Sequence, residues 1–238
     1  METNVFNNEN GLIFGMSEKV YGDMKVWPGE GNTQALANRK NFFESKGLAV
    51  DNVISALVIH SDKIFTVKEK LGGYYADGYD ALITNIPGVI LAITAADCPP
   101  IFFFDPINKV VAMAHSGWRG TVLNIAEKTV KAMVSQYGSL TTDIEVFVGP
   151  HIRVCHFQVG SETAEQFSSM HVVKRNNNLH VDLGGEIFAQ LLRAGLLVGN
   201  ISLSYECTSC DEKYFSHRRD KFTRVQAGIA YLGLNLGI

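Results

Sequence analysis

Three side chains able to bind a metal or act as nucleophiles each close an apolar, strand-like run. His60 follows Ala56-Leu57-Val58-Ile59, Cys98 ends the run that starts at Ile90, and His115 follows Val110-Val111-Ala112-Met113-Ala114. Strand ends are rigid and emerge at the rim of a sheet, which suits a preorganised site. Two imidazoles and a thiolate form a borderline-soft donor set that fits Zn2+ or copper, and three protein donors leave a fourth position open, as in a catalytic zinc site. The same residues also fit a Cys–His nucleophilic pair, or a small buried thiol beside two independently satisfied histidines. The three lie far apart in the chain and form no short ligand motif, so spacing alone leaves these readings open.

Other residues surround this set. Ser116-Gly117-Trp118-Arg119-Gly120 joins a strand-like run to a helix that should begin near Thr121. Backbone N–H groups in such a turn, with Arg119, could hold an anion such as phosphate; a strand-to-helix turn with Trp118 packed inward is the plainer alternative. Asp97, ahead of Cys98-Pro99-Pro100, could orient a histidine or relay a proton, or simply open the Pro-Pro bend as an Asx-turn. Cys207-Thr208-Ser209-Cys210 is half of a zinc knuckle. No second C-x-x-C completes it and, even with His217 near, a fourth ligand is missing. Ser216-His217-Arg218-Arg219-Asp220 is a basic patch in which Arg218 could meet a substrate phosphate, although internal ion pairs in a solvated turn are the commoner outcome. Motifs of the dinucleotide-binding, P-loop, nucleophile-elbow and HExxH types are absent.

The elements that must carry these residues are mostly strands. Residues 53–59 and 63–67 are β-branched runs separated by Ser61-Asp62, a pattern that predicts a hairpin. Residues 81–84 and 89–94 flank Pro87-Gly88, and 101–104 and 109–114 flank Asp105-Pro106. The runs 89–94 and 110–114 hardly alternate, which predicts strands covered on both faces. A helical stripe runs from Val122 to Tyr137 and ends at Gly138; a second includes Ile187, Phe188, Leu191 and Leu192, with Asp182 as N-cap and Gly195 just past its end. Residues 144–148, 201–205 and 225–232 read as further strands, residues 28–33 as a loop, and 176–178 as a turn tip. The expected class is α/β, a layered α+β arrangement with a mixed sheet core and helices outside.

Composition narrows the function. The chain has 238 residues, 46% of them hydrophobic, and a net charge of −3, which gives no electrostatic case for nucleic acid or an anionic membrane surface. Four cysteines are too few for a disulfide framework. The longest uncharged, mostly apolar stretch, 81–96, is short of a bilayer span of about 20 residues. Met1-Glu2-Thr3-Asn4 has neither a basic nor an apolar leader region, so a cytoplasmic protein with reduced thiols is expected.

Taken together, the motifs resemble one family. Tyr79-Asp80-Ala81-Leu82-Ile83-Thr84-Asn85, Ala96-Asp97-Cys98-Pro99-Pro100 and Ala114-His115-Ser116-Gly117-Trp118-Arg119-Gly120 are similar to the YfiH family, also called laccase-domain or polyphenol oxidase proteins. Gly149-Pro150-His151-Ile152, Cys207-Thr208 and Phe215-Ser216-His217-Arg218-Arg219-Asp220 extend the resemblance over nearly the whole chain. It implies a single domain over 1–238, with a layered fold similar to the cytotoxic necrotising factor catalytic domain. It also implies a two-His, one-Cys metal site on His60, Cys98 and His115. Val58, Ser116, Arg153, His156, Gln158 and Thr223-Arg224 depart from residues frequent in that family.

The resulting expectation is a zinc-dependent purine nucleoside enzyme, with copper as the other metal. It would cleave adenosine, inosine, guanosine or methylthioadenosine with phosphate and deaminate adenosine. Cys98, His115 and Asp97 are the expected catalytic residues, and Arg119 and Arg218 the candidates for substrate or phosphate. The alternatives are a copper-dependent phenol oxidase, a Cys–His amidase using Cys98 and His115, and a non-enzymatic binding protein. Seven histidines with no His-x-His pair weigh against a multicopper centre.

Overall fold

Short β-branched runs and amphipathic stretches set the element order. The chain forms β1 (Leu12–Met16), α1 (Thr33–Ser45), β2 (Val53–Leu57), β3 (Ile64–Thr66), β4 (Tyr75–Asp77), β5 (Ala81–Thr84) and β6 (Ile90–Ala95). Then come β7 (Pro100–Asp105), β8 (Val110–His115), α2 (Trp118–Val122), α3 (Ile125–Tyr137) and β9 (Glu145–Val148). The remainder adds β10 (Gln158–Val159), α4 (Ser161–Ala164), β11 (Val172–Arg175), β12 (Asn178–Val181), α5 (Leu183–Arg193), β13 (Ile201–Leu203), α6 (His217–Asp220) and β14 (Gly228–Leu234). This computed structural model describes residues 11–27, 29–221 and 224–234. The readings placed on Met1-Glu2-Thr3-Asn4, on Pro28 of the 28–33 loop and on Thr223 lie outside the described residues.

The strands assemble into two large mixed sheets. One has the order β1-β14-β6-β2-β4, the other β13-β9-β7-β8-β5-β3, and β10-β12-β11 forms a small third sheet. Side-chain alternation along the central strands explains the layering. Leu82, Phe102, Phe104, Val111 and Met113 of the six-stranded sheet meet Ile54, Leu91, Ile93, Ala230 and Leu232 of the five-stranded sheet. Their neighbours Ile83, Phe103 and Ala112 face the opposite way, onto Ile125, Val130 and Met133 of α3 and Ile187 and Leu191 of α5. The outer face of the five-stranded sheet is covered by Phe42 and Phe43 of α1. The result is helix, sheet, sheet, helix, the mixed core with outer helices that the pattern predicts. As expected of strands covered on two faces, β6 and β8 are buried along their whole length.

Local signals behave as their chemistry dictates. Asp182 caps α5 by accepting from the Gly185 N–H at 3.1 Å, and Gly195, at φ +96°, follows its end. Asn176 and Asn177 both take positive φ in the tight turn between β11 and β12. Two expectations need correction. Residues 53–59 and 63–67 do not pair as a hairpin: β2 lies parallel to β4 and β6, whereas β3 lies parallel to β5 in the other sheet. The intervening Ile59-His60-Ser61 segment is held by Asp80, which carries the chain across from one sheet to the other. The 122–137 helix is also interrupted, because Asn124 adopts φ +59° and separates α2 from α3. Among the described residues, no helix is long and apolar enough to cross a membrane.

The cap of α5 yields a simple test. Asp182→Ala removes the acceptor for the Gly185 N–H and should lower the unfolding free energy by about 1 kcal/mol in urea titrations, with an unchanged m-value.

Candidate functional site

A buried carboxylate assembles the site. Asp80 precedes β5 and is fully buried. Its two oxygens accept hydrogen bonds from the backbone N–H groups of Ile59 (3.1 Å), His60 (2.9 Å) and Ser61 (2.7 Å) and from the Ser61 hydroxyl (2.8 Å). Oδ1 also lies 2.9 Å from Nδ1 of His115, at the end of β8. His60 has φ +65°, an uncommon conformation for a side-chain-bearing residue, and the hydrogen bonds to Asp80 hold it there.

This arrangement converges His60, Cys98 and His115. Their donor atoms all lie within 4.8 Å of one another. Cys98 Sγ is 3.9 Å from His60 Nε2, and the two imidazole rings sit edge to face at 4.9 Å. An ionised carboxylate can only accept, so the His115 Nδ1–H donates to Asp80 and Nε2 is left for the cluster. Gly117 leaves room for the set: a Cβ there would come within 2.6 Å of His60 Cδ2 and 3.1 Å of Cys98 Sγ.

Electrostatics hold Cys98 in its metal-binding thiolate form and leave His115 protonated until a cation competes for it. Burial pushes the Cys98 thiol up, but His115 and the hydrogen bonds from both imidazoles outweigh it and bring the thiol down to about 6. Burial pulls the His115 imidazolium down, but the Cys98 thiolate and Asp80 raise it to about 9. Asp80 itself, despite burial, is held at about 2 by the His115 hydrogen bond and charge and by Ser61. Without a metal, Cys98 and His115 therefore form a thiolate–imidazolium pair at neutral pH, and a cation displaces the imidazolium proton.

His60 and Cys98 line a cleft of about 380 Å3, and His115 lies buried behind them. Trp118 and Arg119 line one part of it, and Ile152, Phe157, Val159, Leu183 and Arg218 line others. Arg119 is exposed, its guanidinium 4.3 Å from the Trp118 ring centroid, and it makes no ion pair among the described residues. Arg218 is otherwise occupied. Its guanidinium donates to the carbonyls of His156 (2.7 Å) and Gln158 (2.8 Å), and its backbone N–H donates to Asp97 (2.7 Å). Asp97 also accepts from the Thr208 hydroxyl at 2.6 Å. The carboxylate that orients His115 is thus Asp80, whereas Asp97, at φ +82°, ties the Cys98 turn to the C-terminal segments. Arg219 pairs with Asp220, as expected for the basic turn.

Asp80 and Thr208 were not legible as site residues. A lone Asp ahead of an apolar strand has no local signature, because its partners lie 19–21 residues upstream and 35 downstream. Nor is the Cys207–Cys210 pair the isolated half-knuckle its spacing suggests. Cys155 and His156 join it, with all four donor atoms within 4.8 Å of one another, while His217 lines the cleft instead.

Comparison with known proteins gives consistent results. The model of a family described as multi-copper polyphenol oxidoreductase laccase matches residues 10–232. Purine nucleoside phosphorylase LACC1 of Mus musculus is 36% identical over 198 residues, which are 79% of this chain and 44% of that protein, so the match spans less than half of that relative. Adenosine deaminase RL5, from an unknown prokaryotic organism, is 30% identical over 245 residues, 96% of this chain and 92% of that protein. The crystal structure of YlmD from Geobacillus stearothermophilus superposes with a TM-score of 0.90 at 28% identity, covering 98% of this chain and 94% of that one.

Two tests follow from the geometry. Gly117→Ala places a methyl group against His60 and Cys98 and should weaken zinc binding at least about 10-fold in competition with a chromogenic chelator, with little change in far-UV circular dichroism. The Asp80 carboxyl titrates near 3.8 when unfolded and about 2 when folded. Its contribution, about 2 kcal/mol, is therefore complete above pH about 4 and lost as pH falls through about 2. In metal-free protein, the stability gap between wild type and Asp80→Asn should accordingly shrink over that range.

Proposed function

The chain belongs to the family whose model is described as multi-copper polyphenol oxidoreductase laccase, and from that premise we propose that it is a zinc-dependent purine nucleoside enzyme of the cytoplasm, acting as a single domain over 1–238. In this reading it cleaves adenosine, inosine, guanosine or methylthioadenosine with phosphate, giving free base and ribose 1-phosphate, and deaminates adenosine to inosine. The observation that carries the proposal is the convergent donor set of His60, Cys98 and His115, of which His60 and Cys98 line a cleft of about 380 Å3. Relatives named purine nucleoside phosphorylase and adenosine deaminase support the substrate class.

The donor chemistry fits zinc. Two imidazoles and a thiolate are a usual zinc set, and the carboxylate–histidine hydrogen bond from Asp80 is a usual support for it. When bound, the cation supplies Lewis acidity and acidifies water at neutral pH. The chain's own groups do the rest. Asp80 keeps a proton on His115 Nδ1, which directs Nε2 to the metal position. Ile152, Phe157, Val159 and Leu183 offer an apolar wall for a flat base and exclude water from it. Phosphorolysis needs a phosphate oxygen at ribose C1′ as the purine departs with the electrons of the glycosidic bond. Arg119 is the cation suited to hold that phosphate, because its planar fork donates to two oxygens at once and no carboxylate among the described residues occupies it. Arg218 is a positioning residue here, since its donors are spent on backbone carbonyls. Asp97 likewise positions the Cys98 turn.

Arg119→Ala should slow phosphate-dependent cleavage of inosine at least about 10-fold, equivalent to about 1.4 kcal/mol of lost transition-state stabilisation, and slow adenosine deamination much less. Arg119→Lys should restore only part of the loss. Chromatography of base and sugar phosphate, run with and without phosphate, measures both reactions. Equal loss of the two activities together with a lower Tm would make Arg119 a scaffold for the turn. His60→Ala and His115→Ala should each lose the metal and both activities; retention of metal and turnover in both variants would overturn the assignment of the centre.

A further inference from the structure

A second group of soft donors lies outside the His60–Cys98–His115 set. Cys155 Sγ is 3.6 Å from Cys207 Sγ and 3.8 Å from Cys210 Sγ. His156 Nδ1 is 3.3 Å from Cys155 Sγ, 3.9 Å from Cys207 Sγ and 3.3 Å from Cys210 Sγ. A tetrahedral zinc ion, with bonds of about 2.3 Å to sulfur and about 2.0–2.1 Å to nitrogen, holds its donors about 3.6–3.8 Å apart. The observed separations cluster around those edges. A disulfide would use two of the sulfurs and leave the third, together with the imidazole, without a role, and all four cysteines are free thiols. Backbone N–H groups of Arg153, Ser209 and Cys210 also point at the Cys207 sulfur, the usual support for a thiolate in a C-x-x-C turn.

We propose that Cys155, His156, Cys207 and Cys210 bind a structural zinc ion separate from the cleft centre. The set is closed: four protein donors complete a tetrahedron and leave no position for substrate. It joins two segments distant in sequence, the turn after β9 and the turn after β13. Both segments shape the cleft. Phe157 follows His156 and lines the cleft, the His156 carbonyl holds Arg218, and Thr208, between the two cysteines, donates to Asp97 beside Cys98. The ion therefore pins one wall of the cleft to the turn that presents Cys98. The assignment does not depend on which reaction the cleft performs.

The test uses the whole native chain. Protein stripped of metal under reducing conditions is titrated with Zn2+ and pulsed with iodoacetamide, and each cysteine is quantified by mass spectrometry. Cys155 and Cys210, partly or fully exposed, should be alkylated without zinc in a pulse long enough to modify both, and should lose reactivity together, at least about 10-fold, once the site fills, because coordination occupies the sulfur. Cys98 is quantified separately, so binding or failure at the cleft centre leaves the labelling of Cys155 and Cys210 equally informative. His156→Ala changes an exposed side chain and should raise the zinc concentration needed for protection at least about 10-fold. Unchanged labelling of Cys155 and Cys210 in saturating zinc would overturn the site, and an unchanged midpoint in His156→Ala would overturn the four-donor assignment. In a Cys98→Ser background, Co2+ should still give the intense charge-transfer bands of a tetrahedral thiolate site. Their absence from folded protein would equally refute the proposal.

Discussion

The buried Asp80 carboxylate is the constraint on which the site depends. An unpaired buried charge is costly, and this one is satisfied by three backbone N–H groups, a hydroxyl and an imidazole. Those partners are not interchangeable. The backbone donors fix the Ile59-His60-Ser61 turn and with it the left-handed conformation of His60. The imidazole bond sets the tautomer and orientation of His115. One side chain thus fixes two of the three cleft donors, and the 2.7 Å hydrogen bond that its own backbone carbonyl accepts from the His115 N–H aligns the end of β8 with it.

The layered fold makes that constraint effective. Asp80 stands at the start of β5, a central strand flanked by β8 and β3, with α3 and α5 on one face and the second sheet on the other. A close-packed interior on both sides resists the small shifts that would separate donors from one another. Cys98 reaches the same point from β6 by a sharp turn at Asp97, and that turn is stapled to Thr208 and Arg218 far along the chain. The cleft is consequently built from segments that meet only when the whole chain has folded. Its base belongs to the rigid sheets, and its wall, around Phe157 and Arg218, belongs to the C-terminal loops.

Charge is distributed unevenly between the base and the rim of the cleft. At the base, Asp80 and Cys98 carry negative charge that His115 offsets. At the rim, Arg119 rests on the Trp118 ring, which orders the guanidinium without neutralising it. Arg218 shows the opposite use of the same residue type, where hydrogen bonds to two carbonyls turn a cation into a brace.

Much of this was legible in the chain itself. Unalternating apolar runs identified β6 and β8 as doubly covered strands, Asp182 and Gly195 marked the ends of α5, and the residues closing strand-like runs were the three donors that converge. These signals are local, because burial pattern, capping and turn chemistry act over a few residues. What the sequence by itself could not determine was partnership over distance. The 53–67 segment has the pattern of a hairpin, yet pairing with β4, β6 and β5 leaves β2 and β3 in different sheets. Asp80 lies in the family-like run 79–85, but nothing in that run marks its role, which exists only where strands distant in the chain bring three N–H groups and an imidazole to one carboxylate. Cys207 and Cys210 looked incomplete because Cys155 and His156 lie some fifty residues upstream. The tertiary structure supplied them, because donor geometry is a property of points in space and the chain records only order.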